Sequence, residues 1–171
     1  MKMFRRILVP HDFSNHATRA LETAAELART SRGKIEVLNV IVPFAPVTAL
    51  PPAEAAAWIP PTDLVDDQQT RLQALVAKVG KRRGCPVTCR VAVGDPFERI
   101  MNAAKRADLI VMATAGRTGL SHLLIGSVAE KVVRHSPIPV LTLRVGAPRA
   151  GAGARGGRTA RRRNARAARR A

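Results

Sequence analysis

Two apolar runs without alternation, Ile7-Leu8-Val9 and Leu109-Ile110-Val111-Met112, constrain the fold of this chain most strongly. A strand with one wet face alternates apolar and polar residues. These runs do not, so they read as strands covered on both faces. Such strands belong at the centre of a parallel sheet with helices on either side.

The segments around them alternate as that architecture requires. The first run ends at Pro10, and Ala17, Leu21, Ala24 and Ala28 then recur at helical spacing, with Gly33 expected to stop the helix. Residues 35–42 predict a second strand. A second helix carries Leu72, Leu75, Val76 and Val79 and closes on basic residues and Gly84. Val87, Cys89, Val91 and Val93 alternate with Thr88, Arg90 and Ala92, which predicts a half-covered third strand. Gly94-Asp95-Pro96 turns into a third helix, with Phe97, Ile100, Met101 and Ala104 on one face. After the fourth strand come a glycine-punctuated loop, a helix opening at Ser127 and a fifth strand containing Thr142 and Arg144. The expected fold class is α/β, an open five-stranded parallel sheet of order 3-2-1-4-5 with helices on both faces. The third and fifth strands fall at the edges. This order puts a topological switch between strands 1 and 4, where ligands of such sheets bind beyond the carboxyl ends. Pro10-His11-Asp12 and Thr114-Ala115-Gly116 follow those two ends.

Length and charge set the domain plan. The chain of 171 residues suits one domain with a sizeable core, assigned to residues 1–145. Those residues hold 20 Lys and Arg against 12 Asp and Glu, whereas residues 146–171 hold nine Arg and no acid. That Arg/Ala/Gly-rich tail cannot bury a core and is expected to be disordered. Its nine guanidinium groups suit a polyanion such as nucleic acid, without base-stacking aromatics for sequence readout. No apolar run is long enough for a membrane span or a signal peptide, which predicts a cytoplasmic protein. Between Pro43 and Pro61 lie six prolines and Trp58, expected to form either a plain connection or a flap.

The loop and helix start after strand 4 carry the chemistry. Gly116, Gly119 and Gly126 keep side chains away from the backbone, and a helix opening at Ser127 offers unpaired N–H groups to an anion. Neither a Walker-type G-x-x-x-x-G-K-[ST] nor a G-x-G-x-x-G follows strand 1. Instead Gly116 is followed by nine residues and then Gly126-Ser127. Together with ILVPHDFS, VLNVI, GDPFERI and DLIVMATAGRTGLSHLLIGSVAEKVVRHSPIPVL, this resembles the universal stress protein family, whose ATP-binding members carry G-x2-G-x9-G-[ST] here.

The resemblance implies a Rossmann-like fold, a homodimer joined through the last strand (Val140 to Val145), and ATP at the switch point. By the same resemblance, Asp12 lies near the ribose and the phosphates or their Mg2+. Pro10 and His11 line the adenine side, Val40 meets adenine through its backbone, and Met112 and Ala113 end the pocket floor. Gly116, Arg117, Gly119, Gly126, Ser127 and Val128 surround the phosphates. The chain departs from the pattern at Ala113, where the motif has its first glycine, at Ala115, where a histidine is common, and at His11, which replaces a smaller residue. An alanine at 113 is tolerable on extended backbone and poor at positive φ.

Each feature also has a plainer reading. Ser127 with Glu130 spells a capping box, and Asp12 suits a cap for the first helix. Gly116 and Gly119 suit a tight loop. His122 and His135 flank one helix, with His135 in its last turn, and the four histidines lack metal-ligand spacing. Cys85 and Cys89 are not a C-x-x-C, and Cys89 is expected to be buried and inert. No general base adjoins Ser127 in sequence, His11 being the sole candidate, so fast catalysis is not indicated. Three further functions stay open: a dimerising interaction module without nucleotide, a polyanion binder acting through the tail, and a slow ATPase dependent on Asp12 or Ser127.

Overall fold

A computed structural model describes residues 4–43, 60–114 and 126–144. Five strands alternate with helices along the chain. They are β1 (Arg6–Pro10), α1 (Asn15–Ser31), β2 (Lys34–Ile41), α2 (Thr62–Arg83), β3 (Val87–Val93), α3 (Pro96–Ala104), β4 (Leu109–Ala113), α4 (Ser127–His135) and β5 (Val140–Leu143). All sheet pairings are parallel, in the order β3-β2-β1-β4-β5. The predicted order and the predicted edges are those observed.

The two central strands divide their side chains between two cores. Ile7, Val9, Leu109 and Val111 pack with Leu21, Ala24 and Ala28 of α1 and with Leu72, Val76 and Val79 of α2. Leu8, Ile110 and Met112 pack on the opposite face with Ile100, Ala103 and Ala104 of α3 and with Ala129 and Val132 of α4. The absence of alternation in these strands thus has its cause in helices on both faces. On α3, Ala103 fills the buried position that sequence periodicity gave to Met101.

Local chemistry ends the helices, with one difference from expectation. α1 stops at Ser31, and the left-handed position is taken by Arg32 (φ 51°), not by Gly33. Gly33 is needed for space. A Cβ there would lie 2.9 Å from the Phe4 carbonyl oxygen and 3.0 Å from that of Arg5. Gly33→Ala is therefore expected to destabilise the protein by about 1–3 kcal/mol, since backbone must shift to admit the methyl. Urea denaturation checks this; an unchanged midpoint would refute the close approach. α2 ends as predicted on Gly84 at φ 65°. α3 opens on Asp95, whose carboxylate accepts from the Glu98 N–H at 3.0 Å, with Pro96 just inside.

The glycine loop around Gly116, Arg117 and Gly119, His122, Trp58 and most of the Pro-rich segment, and residues 145–171 lie outside the described residues. Among the described residues, no helix is long and apolar enough to cross a membrane.

Candidate functional site

The sheet opens where strand order reverses. β1 and β4 pair only at Ile7–Leu109 and Leu8–Ile110, whereas β1 and β2 stay paired through Pro10–Leu38. The carboxyl ends of β1 and β4 therefore separate, leaving a crevice between the residues that follow each strand.

On the β1 side, the chain makes a strained turn. His11 N–H donates to the Leu38 carbonyl at 2.8 Å, extending the β1–β2 contact by one residue. Asp12 accepts from the Ser14 N–H at 3.0 Å, and Ser14 in turn caps α1 by accepting from the Ala17 N–H at 3.1 Å. The cap is thus Ser14, not Asp12, and Asp12 braces the cap from a partly exposed position at the crevice. Between them Phe13 sits at φ 65°, a left-handed conformation that bulky residues rarely adopt. Its N–H donates to His11 Nδ1 at 3.0 Å, its ring meets the His11 ring edge-on at 5.7 Å, and the Arg71 guanidinium lies 4.2 Å from its centroid.

His11 is buried. Its Nε2 lies 3.3 Å from Thr18 Oγ1, and Thr18 donates its own proton to the Ser14 carbonyl at 3.0 Å. These partners assign the proton of the neutral ring to Nε2. Burial pushes the imidazole down to about 4; Asp12 opposes this and Arg71 adds to it. The ring expected on the adenine side is therefore tucked under α1, between Phe13 and Thr18, with both nitrogens engaged. Asn39, which sequence reasoning passed over, donates from Nδ2 to the His11 carbonyl at 2.8 Å and is itself buried. One polar residue inside the apolar VLNVI stretch was the available signal.

On the β4 side, Gly126 is pinned to the strand end. Its N–H donates to the Thr114 carbonyl at 2.7 Å, and Thr114 N–H donates to the Leu143 carbonyl at 3.1 Å. Gly126 is the cap residue of α4 and makes no side-chain cap bond, and its carbonyl accepts from Glu130 N–H at 2.9 Å. The capping box expected of Ser127 and Glu130 is absent. Ser127 is the first helical residue, and Glu130 pairs with Arg134 at 2.9 Å. The N–H groups of Ser127, Val128 and Ala129 precede the first intrahelical bond, at the positive end of the helix dipole. Ser127 is exposed.

The remaining positions fall into place around these two sides. Met112 is buried and Ala113 partly so at the end of β4, and Ala113 has no positive φ, so its methyl meets no backbone strain. Val40 is partly buried on β2 beside the second core, and Pro10 ends β1. The structure thus brings together Pro10, Asp12, Met112, Ala113, Gly126, Ser127 and Val128 at one pole of the sheet. Elsewhere, Cys85 is buried, while Cys89 is only half-buried and accepts from Gln69 Nε2 at 3.6 Å; burial raises both thiols. His135 ends α4 with Nδ1 2.9 Å from the Lys131 carbonyl. Among the described residues, no three His, Cys, Asp or Glu side chains group as metal ligands.

Comparison with known proteins assigns the family. A model of the universal stress protein family matches residues 3–144. A universal stress protein of Methanocaldococcus jannaschii is 31% identical over 144 residues, covering 83% of each chain. One from Thermus aquaticus is 33% identical over 145 residues, covering 83% of this chain and all of that one (100%). Among solved structures, the universal stress protein UspA of Lactobacillus plantarum superposes with a TM-score of 0.68 at 23% identity, covering 84% of this chain and 100% of that one. Two other neighbours were solved with nucleotides. A universal stress protein in complex with cAMP has a TM-score of 0.58 at 21% identity, covering 84% of this chain and 98% of its own. An Archaeoglobus fulgidus protein in complex with dAMP has a TM-score of 0.59 at 23% identity, covering 82% and 98%. The chain belongs to the universal stress protein family.

Proposed function

We propose that this protein binds an adenine nucleotide, ATP with Mg2+, in the crevice between β1 and β4, and signals by its occupied or empty state without fast catalysis. The observation that carries this reading is that Asp12 and the first turn of α4 follow the ends of β1 and β4, on either side of the point where the two strands part. Backbone N–H groups of Ser127 and Val128, with the Ser127 hydroxyl, suit the phosphates. The Asp12 carboxylate is a hard oxygen donor suited to a Mg2+ carried by them. Val40, Met112 and Ala113 offer an apolar floor, and Gly116, Arg117 and Gly119 complete the phosphate side. In this reading Pro10 and the His11 backbone line the base, while the His11 ring holds the turn from beneath. Neighbours bound to cAMP and dAMP support an adenine nucleotide as the class of ligand.

The working form is a homodimer joined through Val140 to Val145. Among the described residues β5 pairs only with β4, and Leu141 is exposed, so this edge is open to a second copy. Residues 1–145 form the nucleotide-binding domain, residues 146–171 a basic tail for polyanions, and the protein works in the cytoplasm. Equilibrium dialysis against Mg-ATP, AMP and cAMP tests the site. Asp12→Ala is expected to weaken the tightest of these at least tenfold; equal affinity in variant and wild type would refute the role of Asp12. The alternative of an interaction module without nucleotide rests on Ala113 and Ala115; the unstrained backbone at Ala113 weakens it, while Ala115 lies outside the described residues.

A further inference from the structure

The end of the sheet opposite the crevice gathers positive charge from three separate parts of the sequence. Arg5 and Arg6 open β1, Arg32 and Lys34 open β2, and Lys105 and Arg106 lead into β4. These three strands are neighbours. Arg6 stands beside Lys34 in register, Lys34 N–H donates to the Arg5 carbonyl at 2.8 Å, and Asp108 N–H donates to the Arg6 carbonyl at 2.8 Å. All six cations are exposed. The one carboxylate among these segments, Asp108, is occupied by the Arg6 guanidinium at 2.8 Å and by the N–H groups of Arg5 and Arg6. Among the described residues, none of the other five cations has an ion-pair partner. The carboxylates of Asp63, Asp66, Asp67, Asp95 and Glu98 lie instead at the helix starts, at the crevice end.

We infer that this amino-terminal pole of the sheet is a docking face for the phosphate backbone of duplex nucleic acid, distinct from the nucleotide crevice. Three adjacent strands span about 10 Å. A duplex carries a charge for every ~1.7 Å of axis, so such a strip meets several phosphates at once. Backbone contact of this kind fits the side-chain chemistry. Among the described residues the strip is Arg and Lys, Phe4 is its one exposed large apolar residue, and it holds no ladder of aromatics to stack bases. A lipid surface is less well matched, since among the described residues of the strip only Phe4 is an exposed large apolar side chain that would enter it. The nine arginines of residues 146–171 add a second cationic segment to the same chain.

The test separates the pole from the tail in the full-length chain. A fluorescein-labelled duplex of random sequence is titrated by fluorescence anisotropy with three proteins over a range of salt. They are the wild type, a pole variant (Arg5→Gln, Arg32→Asn, Lys34→Gln, Lys105→Gln, Arg106→Gln), and a tail variant with its nine arginines changed to glutamine. Asn is chosen at 32 because it tolerates the left-handed backbone there. The pole variant is expected to bind at least tenfold more weakly, with a salt slope smaller by about 2 to 4, and the tail variant is expected to keep measurable binding. Circular dichroism and the single change Lys34→Glu, expected to weaken binding at least threefold, guard against a misfolded multiple variant. Wild-type affinity and slope in the pole variant would overturn the inference. So would complete loss of binding in the tail variant, or a change only in self-association by sedimentation, which would make the pole an interface between copies.

Discussion

Acidification from pH 6.5 to 4 is expected to remove about 3 kcal/mol of stability through His11 alone. The ring is buried, and burial holds its pKa at about 4, against about 6.5 in the unfolded chain. In that window the unfolded state binds a proton that the folded state refuses. Stability from this group is therefore complete above the unfolded value, falls as pH drops toward the folded value, and is flat below it. The geometry says why the proton is refused. Nδ1 already accepts from Phe13 N–H, and Nε2 faces Thr18 Oγ1, so a second ring proton would meet a donor. Urea midpoints measured from pH 7 to 4 check the prediction. His11→Gln should be less stable than wild type at pH 7 yet lose much less stability across the window; an unaltered pH slope would sink the assignment.

Mg-ATP at a hundred times its Kd is expected to stabilise the folded protein by ~2.7 kcal/mol. That gain follows from any ligand that binds the folded state alone, so it separates a nucleotide-binding protein from an interaction module of the same fold. Asp12→Ala, binding at least tenfold more weakly, should lose about half of the gain or more at the same nucleotide concentration. The Gly33→Ala variant, lying at the opposite end of the sheet, should be less stable but keep the full gain. A wild-type melting temperature indifferent to saturating Mg-ATP would favour the module instead.

What could be read from the residues alone depended on which physical signal they carried. Strand order was legible because Ile7-Leu8-Val9 and Leu109 to Met112 lack alternation, and only burial on both faces explains that. On the β4 side, the helix start was legible because Gly126-Ser127 marks where the chain can turn into a helix, and α4 does open at Ser127. Helix ends were less so. Gly33 looked like a stop, yet its role is to let Phe4 and Arg5 pass, while Arg32 takes the left-handed turn. Ser127-x-x-Glu130 spelled a capping box, but Gly126, bonded to Thr114, is the cap, and Ser127 opens the helix as its first residue. The His11–Phe13–Arg71 cluster was invisible because its members come from the turn after β1 and from α2, and no spacing rule joins them. The family resemblance puts His11 on the adenine side; its ring is held by Phe13 and Thr18 through hydrogen bonds that only the fold creates.

The most direct test of the central claim is a titration of the 15N-labelled full-length protein with Mg-ATP, followed by amide chemical shifts. Saturable changes are expected at Asp12, Ser127 and Val128, on both sides of the strand split, with the amides of Arg32 and Lys34 unmoved at the other pole. Absence of saturable shifts, or shifts confined to residues away from the ends of β1 and β4, would contradict the claim.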